Sequence, residues 1–334
     1  MGLKTWINLN FMSKLIISKT PLRISFVGGG SDLPSFYKKS KYGCVISTTI
    51  DKYIYLILHQ RHDKLIRASY SKTEIVDDVN KLNHELIRES LLKFNIKDSI
   101  EVVSISDVTG QGTGLGSSSS YTIGLLNALS SLNKQKYSKY NLAELACEIE
   151  IDKCEKPIGK QDQYATSFGG FNQIEFYEDI VQIKPIQIPQ ENLIKLENRL
   201  LLFDMNISRK SSDILKEQDN LYNDNKISMT QEMVKLTKPF KNALINNIDE
   251  IGYIMNESWE IKKQLTSKIT NPKIEDIYNL AMSCGADGAK VCGAGGGGFL
   301  LVYVKEENKE HLRYTMKEYK ELKFGFDYEG TSIV

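Results

Sequence analysis

Glycine is concentrated in three short segments of this 334-residue chain, and they constrain its fold more than any other feature. The first is Gly28–Gly30, the second alternates glycine from Gly110 to Gly116 before four serines, and the third is Gly295–Gly298 before Phe299. Glycine allows left-handed backbone conformations and a close approach to a ligand or another loop. The three segments therefore predict tight loops that contact a ligand or each other.

Hydrophobic periodicity around these loops predicts an α+β chain. The predicted strands are 15–28, 44–59, 99–108, 200–203 and 299–304. The predicted helices are 80–94, a stretch that ends at Leu132, and a helix with Asn141 and Glu144 as its capping box. A further helical region runs from about 208 to 284 and stops at Gly285. We predict two domains, at 15–190 and 191–334, with residues 1–14 as a candidate disordered extension.

Composition narrows the class of protein. Hydrophobic residues make up 41% and charged residues 25%, as in a soluble globular protein, and the net charge of +1 argues against nucleic acid or a membrane surface as partner. No apolar run reaches eighteen residues, so no membrane span is expected. Five dispersed cysteines without a C-x-x-C pair favour a reducing cytoplasm, and the close pair His59 and His62 is interpreted as strand-end residues, so no zinc site is expected.

The second glycine segment carries most of the predicted chemistry. It joins a predicted strand to a predicted helix, where free N–H groups and the helix dipole favour an anion. Hydroxyls from Ser117 to Ser120 could bond phosphate oxygens or ligate magnesium, although an ordinary loop with a serine N-cap remains an alternative. No lysine follows the glycines as in a P-loop, and the alternating spacing does not fit the dinucleotide fingerprint, which disfavours an NAD-dependent oxidoreductase.

The other two segments are less specific alone. Arg23 lies in a predicted strand and Asp32 follows three glycines, where its carboxylate could accept hydrogen bonds from two sugar hydroxyls. Asp32 could instead cap a helix that begins at Pro34. The segment from Lys290 to Phe299 predicts close packing of backbone against a ligand or a neighbouring loop.

In this order and spacing, the three motifs resemble the GHMP kinase family, from about Lys19 to the C-terminus. The R-x-S-F-x-G-G-G-S-D-L-P form of the first motif is similar to the branch of D-glycero-D-manno-heptose 7-phosphate kinases and the kinase part of fucokinases. The resemblance implies an α+β GHMP kinase fold, with a ribosomal-protein-S5-like N-terminal domain and a ferredoxin-like C-terminal domain.

The resemblance also implies residue roles. Asp162 matches the catalytic aspartate, which would accept the proton of the sugar hydroxyl, and Arg23 matches the arginine beside the transferred phosphoryl group. Ser118 and Glu150 match the magnesium ligands. Further expected sites are ATP binding by Gly112, Gly114, Leu115, Gly116, Ser117, Ser118 and Ser119; substrate binding by Gly29, Gly30, Ser31, Asp32, Lys160 and Arg209; and support of the glycine loop by Gly293, Gly295, Gly296 and Gly297.

The implied function is an ATP- and Mg²⁺-dependent sugar-phosphate kinase. Its expected substrate is D-glycero-α-D-manno-heptose 7-phosphate, phosphorylated at the C1 hydroxyl for nucleotide-activated heptose synthesis, with Lys160 and Arg209 as spare cations for the second phosphate. A fucokinase- or galactokinase-like enzyme and a catalytically silent regulator of the same fold remain alternatives. The expected partners are ATP and the sugar phosphate, and a homodimer remains open.

Overall fold

The computed structural model describes residues 15–108, 112–207 and 224–334, together with residues 214 and 217. The predicted extension at 1–14 and the predicted substrate residue Arg209 lie outside these ranges. Within them the chain mixes helices and two sheets, which confirms the α+β class. The division into two domains near residue 190 stays a prediction.

The bounds of the strands are β1 Leu15–Val27, β2 Gly43–Gln60, β3 Ile66–Ser69, β4 Thr73–Val76, β5 Ile100–Ser106, β6 Asn172–Phe176, β7 Val181–Pro185, β8 Leu200–Asp204, β9 Ala286–Val291, β10 Phe299–Val304, β11 Lys320–Glu321, β12 Phe326–Asp327 and β13 Ser332–Ile333. The five strands predicted with bounds are found close to their predicted positions, as β1, β2, β5, β8 and β10, whereas β3, β4, β6 and β7 were not predicted. In the described residues, one sheet of nine strands has the order β13-β1-β2-β5-β3-β4; β6 and β12 also pair with β2, and β7 pairs with β6. A second sheet of four strands has the order β11-β8-β10-β9.

The helices cover the faces of these sheets. Their bounds are α1 Pro34–Ser40, α2 Glu85–Lys93, α3 Ser117–Leu132, α4 Lys139–Cys147, α5 Gln161–Phe168, α6 Gln190–Arg199, α7 Asp224–Lys235, α8 Thr237–Asn246, α9 Ile251–Lys263, α10 Pro272–Ser283 and α11 Glu306–Thr315. The predicted helical region from 208 to 284 is thus divided, in its described part, into four helices. The last of these ends just before Gly285, whose positive φ permits the predicted stop.

The long antiparallel pair β1 and β2 positions the first glycine segment. Its apolar side chains, such as Leu22, Ile24 and Phe26, are fully buried, which fixes the register of the strand. The register shifts between Pro21 and Leu22, because proline cannot donate a ladder hydrogen bond. Arg23 follows this irregularity and points into the space between the sheets and α3.

The second sheet has its own apolar core. All six residues of β10 are buried because the strand lies between β8 and β9, and Trp259 packs beneath it from α9. The last two strands belong to the nine-strand sheet instead, where β12 pairs with β2 and β13 pairs with β1. The first described strand, β1, and the last strand, β13, are therefore neighbours in one sheet.

Helix α4 continues into a π-helical segment, Glu148–Lys153. Such wide turns are frequent at functional sites, because they rotate side chains out of the α-helical register. Here Glu150 is completely buried, whereas Asp152 two residues later is exposed. The predicted capping box at Asn141 is wrong: the N-cap is Ser138, whose hydroxyl accepts a hydrogen bond from the Asn141 N–H.

Candidate active site

A cleft with a volume of about 180 Å³ opens where the three glycine segments meet. Its wall includes Gly30 and Asp32 from the first segment, Gly112 to Ser119 except Leu115 from the second, and Gly293 with Ala294 from the third. The loop before α5 and the start of that helix complete the wall. The sequence motifs, which are far apart in the chain, are thus brought to one place.

The centre of the cleft is an ion pair between Arg23 and Asp162. The guanidinium donates from Nε to Oδ1 at 2.7 Å and from Nη2 to Oδ2 at 2.8 Å, a bidentate geometry. Its Nη1 also donates to the carbonyl oxygen of Gly114 at 2.5 Å. Arg23 is 3% exposed, whereas the side chain of Asp162 is 23% exposed. The arginine is therefore fixed behind the carboxylate, which faces the cleft.

The second glycine segment, which we call the phosphate loop, leads into α3 and contains three glycines with left-handed backbone conformations. The φ angles are 73° at Gly112, 77° at Gly114 and 75° at Gly116, conformations that other residues adopt only with strain. Gly116 is the N-cap and supplies no side chain to bond the first free N–H groups of the helix. The N-terminus of a 16-residue helix, with Ser117, Ser118 and Ser119 in its first turn, therefore faces the cleft, a position where free N–H groups favour an anion.

Glu150 is the buried carboxylate of this end of the cleft. It accepts hydrogen bonds from Ser118 Oγ at 2.9 Å, from Ser119 Oγ at 2.7 Å and from Gln163 Nε2 at 2.7 Å. The ammonium of Lys156 lies 3.7 Å from its Oε1 and donates to Ser118 Oγ at 3.1 Å. These interactions compensate for burying the charge and hold the carboxylate beside the first turn of α3.

The donor set at this point fits Mg²⁺, a hard ion that prefers oxygen ligands. Ser118 offers a hydroxyl and Glu150 a carboxylate oxygen, 2.9 Å apart. Among the described residues, no group of three or more His, Cys, Asp or Glu could hold a metal ion without help. A magnesium ion here would therefore need further oxygens, such as those of a nucleotide phosphate.

Asp32 is a second buried carboxylate, close enough to Asp162 to interact with its charge. Its carboxylate accepts hydrogen bonds from the backbone N–H of Gly30 at 3.1 Å and of Gln161 at 3.2 Å. Burial, followed by the negative charge of Asp162, raises the pKa of Asp32 above its usual value. A Cβ atom added to Gly159 would lie 1.9 Å from Oδ2, so glycine is required there. Asp32 does not cap α1, whose N-cap is Leu33 without a side-chain hydrogen bond.

The remaining residues of the first motif differ in their roles. Ser31 is fully buried, and its hydroxyl donates to the carbonyl oxygens of Gly28 and Cys44 while accepting from the Cys44 N–H. It builds the loop and does not line the cleft. Gly29 lies near the ammonium of Lys262, 3.6 Å from where its Cβ would be.

The third glycine segment packs against the second. A Cβ atom on Gly293 would lie 2.7 Å from the Cα of Gly114, and one on Gly298 would lie 2.4 Å from the carbonyl oxygen of Thr113. Gly295 and Gly297 instead contact Ile269 and Ile207, and the Gly296 N–H donates to the Ile269 carbonyl at 2.5 Å. The contact with the phosphate loop thus comes from Gly293 and Gly298, and Gly298 was not predicted.

Two predicted ligand residues lie elsewhere. The side chain of Leu115 is fully buried in the core, and its backbone bonds within the protein: the carbonyl oxygen accepts from the Arg23 N–H and the Leu115 N–H donates to Thr113 Oγ1. Lys160 lines a neighbouring cleft together with Tyr37, Glu144 and Asp152, and is not among the residues that line the site. Among the residues that the structure describes, the cationic side chains that do line it, besides Arg23, are Lys156 and Lys262.

The side chains of the described site that the sequence analysis missed include Lys156, Gln161, Gln163 and Lys262. Gln161 and Gln163 flank Asp162, and as long side chains next to a candidate base they could have been singled out. Lys156 lies between two matched acidic residues, Glu150 and Asp162. Lys262 lies in a helix far from every motif, and no sequence signal marks it.

The fold and this site define a small-molecule kinase, and the chain belongs to the GHMP kinase family. Residues 79–170 match the model of the GHMP kinases N terminal domain, and residues 239–321 match that of the GHMP kinases C terminal domain. The expected fold, the family and the enzyme class, a phosphotransferase with an alcohol group as acceptor, are thereby confirmed.

Particular relatives agree with this assignment. The chain is 32% identical over 320 residues to the D-glycero-alpha-D-manno-heptose 7-phosphate kinase of Campylobacter jejuni, covering 90% of this chain and 92% of the relative. It is 26% identical to the bifunctional fucokinase/GDP-fucose pyrophosphorylase of Arabidopsis thaliana, covering 90% of this chain and 31% of that protein.

Solved structures share the fold across almost the whole chain. A D-glycero-D-manno-heptose 1-phosphate kinase from Bacteroides thetaiotaomicron superimposes with a TM-score of 0.79 at 24% identity, covering 96% of this chain and 98% of that one. A putative sugar kinase from Campylobacter jejuni superimposes with a TM-score of 0.76 at 29% identity and the same coverage. Of the residues that the structure describes, none forms a helix long and apolar enough to cross a membrane.

Proposed function

We propose that this protein is a cytoplasmic ATP- and Mg²⁺-dependent kinase that phosphorylates the C1 hydroxyl of D-glycero-α-D-manno-heptose 7-phosphate. The observation that carries the reaction is the bidentate pair of Arg23 and Asp162 beside the N-terminus of α3. The observation that carries the substrate is the similarity to the heptose 7-phosphate kinase over nearly the whole chain. Five free cysteines fit a reducing compartment such as the cytoplasm.

ATP would bind with its phosphates at the phosphate loop. The free N–H groups at Ser117 to Ser119 and the dipole of α3 favour negative charge there. Lys156 adds a cation at the same end, since its ammonium already contacts Ser118. Phosphoryl transfer depends mainly on positioning and on stabilising charge, and this arrangement supplies both.

Ser118 and Glu150 would hold the magnesium ion together with phosphate oxygens of the nucleotide. The ion would neutralise charge on those phosphates when bound. Ser119 and Gln163 hold the second carboxylate oxygen of Glu150, which fixes the direction in which the first oxygen points. Such orientation by neighbouring groups commonly determines how tightly a metal site binds.

The acceptor sugar would lie between Asp162 and Asp32. As the C1 oxygen forms its bond to the γ-phosphorus, the bond from that phosphorus to the bridging oxygen breaks, ADP leaves, and the hydroxyl proton passes to the Asp162 carboxylate. Arg23 stabilises the negative charge beside the transferred group. Asp32, held by two backbone N–H groups, would accept hydrogen bonds from other hydroxyls and orient the ring.

A substrate panel tests this proposal. The purified protein would be assayed for ADP release with ATP, Mg²⁺ and, in turn, heptose 7-phosphate, free heptose, fucose, galactose and mevalonate. We expect the highest kcat/KM with heptose 7-phosphate. Faster turnover of free fucose or galactose would favour the alternative that the fucokinase relative suggests. No turnover of any acceptor would favour a silent regulator of the same fold.

A further inference from the structure

Lys262 is a buried cation at the edge of the candidate site. It lies on the last turn of α9, is 6% exposed, and its ammonium donates to the carbonyl oxygen of Gly293 at 2.5 Å. The same ammonium lies 3.6 Å from the position that a Cβ atom on Gly29 would take. A helix of the second half of the chain thus carries a positive charge to the first glycine segment.

The next residue, Lys263, shows that a lysine at the end of α9 does not always face the cleft. Lys263 follows directly in the chain, and its ammonium pairs with Glu260 at 2.9 Å and with Glu275 at 3.2 Å, away from the cleft. Lys262 instead lines the cleft. A cation on the wall of a cleft attracts an anionic ligand and can form a charge-assisted hydrogen bond with it.

The surroundings of Lys262 are positive. Lys290 lies beneath it, fully buried, with its ammonium donating to the carbonyl oxygens of Ser25 at 2.7 Å and Phe26 at 2.6 Å. Burial, followed by the positive charge of Lys262, lowers the pKa of Lys290. Arg23 adds a further cation nearby. Of these basic groups, Arg23 and Lys262 line the cleft, and Lys290 lies buried behind them.

The two lysines that line the cleft belong to different ends of it. Lys156 contacts Ser118 and Glu150, where the nucleotide phosphates and magnesium are proposed to bind. Lys262 lies beside Gly29, in the segment that carries Asp32. We call the first the catalytic end, made of Arg23, Ser118, Glu150, Lys156 and Asp162, and the second the sugar end, made of Gly29, Asp32 and Lys262.

We propose that Lys262 binds the phosphate that the acceptor already carries, and thereby makes this enzyme select a sugar phosphate over the free sugar. The inference rests on the proposed function, because it assumes a phosphorylated acceptor. It replaces Lys160 as the predicted contact, since the side chain of Lys160 lies in the neighbouring cleft. A phosphate dianion between Lys262 and the N–H groups of the glycine segments would have the charge-assisted partners that it needs.

The test compares Lys262→Gln with Lys263→Gln, its neighbour outside the cleft. For each protein we would measure kcat and KM with heptose 7-phosphate, with free heptose and with ATP. We expect Lys262→Gln to raise the KM for heptose 7-phosphate about 10- to 100-fold, as for loss of a charge-assisted hydrogen bond. The kcat/KM for free heptose and the KM for ATP should change less than about threefold, and Lys263→Gln should behave like the wild type.

Different results separate the two proposals. If the wild type does not use heptose 7-phosphate, the proposed function fails and this inference fails with it. If the wild type uses it and Lys262→Gln keeps the same preference for the phosphorylated over the free sugar, only the role of Lys262 is wrong. A raised KM for ATP alone would also overturn it, since Lys262 would then belong to the nucleotide. Lys262→Arg keeps the charge and should retain the preference, and thermal melting of each variant checks that it folds.

Discussion

The two ends of the cleft are built in different ways. At the catalytic end, side chains are positioned by other side chains: Arg23 forms a bidentate ion pair with Asp162, and Glu150 accepts hydrogen bonds from three side chains. At the sugar end, Asp32 is held by backbone N–H groups and Lys262 by a backbone carbonyl. Ion pairs and side-chain hydrogen bonds therefore position the charged groups of the catalytic end, whereas the backbone conformation of loops positions those of the sugar end. This difference suggests that chemistry is fixed at one end and acceptor choice at the other.

Asp162→Asn should have the largest effect, because it removes the proposed base and leaves the rest of the site in place. We expect kcat to fall about 10²- to 10⁴-fold, the usual contribution of a positioned base, while binding of ATP is retained. Stopped assays for kcat and calorimetry for nucleotide affinity would measure this. Asp152→Asn, at an exposed position of the π-helical segment, is the matched control. A variant with near-wild-type kcat would remove Asp162 from the chemistry.

Two glycine-to-alanine substitutions compare how tightly the backbone is packed in the phosphate loop and in the first glycine segment. Gly114→Ala should lower the free energy of unfolding by about 2–4 kcal/mol, because its φ is 77° and the new Cβ would lie 2.3 Å from the Cys292 carbonyl oxygen. Gly29→Ala meets only an ordinary contact at 3.6 Å and should cost less than about 1 kcal/mol. Urea denaturation of both variants measures the difference. Equal losses would mean that the phosphate loop is not packed as described.

Glu150→Gln should weaken magnesium binding at the catalytic end without unfolding the protein. The amide keeps the size of the side chain and loses the charge that would bind the ion, so the Mg²⁺ concentration for half-maximal rate should rise about 10-fold or more. Glu148→Gln, at a half-exposed position paired with Lys93, is the control and should leave the titration unchanged. An unaltered magnesium titration in Glu150→Gln would place the metal elsewhere.

Lys290 concerns the support of the sugar end, and its effect on stability is spread over several pH units. Burial lowers its pKa to about 7 in the folded protein, from 10.5 in a free lysine. Between these values the unfolded chain holds more protons on Lys290, so stability should rise as the pH increases from about 7 to 10, by up to about 1 kcal/mol per pH unit. Lys290→Met should flatten this rise. Denaturation curves at several pH values test it, and an identical slope in the variant would show that another group is responsible.

The sequence predicted the strands and the catalytic end well, for identifiable reasons. The apolar runs of β1, β2 and β10 have strong periodicity, and Phe299–Val304 was predicted with its observed bounds. Arg23, Ser118, Glu150 and Asp162 lie in or beside motifs with fixed spacing, and the structure brings all four together. Their catalytic and metal-binding roles stay predictions.

The sugar end was predicted less well, because its partners come from distant parts of the fold. Lys262 reaches the first glycine segment only through the packing of α9, which no local pattern reports. Lys160 was chosen for its closeness in sequence to Asp162, yet the loop around it turns its side chain away. The N-cap of α4 was misplaced by three residues, since Ser138 and Asn141 are both good capping residues.

The central claim is that Asp162 directs one phosphoryl group from ATP to the C1 oxygen of a heptose that already carries a phosphate at C7. Phosphorus NMR of the reaction of wild-type protein with heptose 7-phosphate, ATP and Mg²⁺ tests it most directly. We predict a new resonance coupled to the proton on C1, equal in amount to the ADP formed, with the C7 phosphate retained and the signal absent with Asp162→Asn. A new phosphate at another carbon, or ADP formed without a new sugar phosphate, would contradict the account.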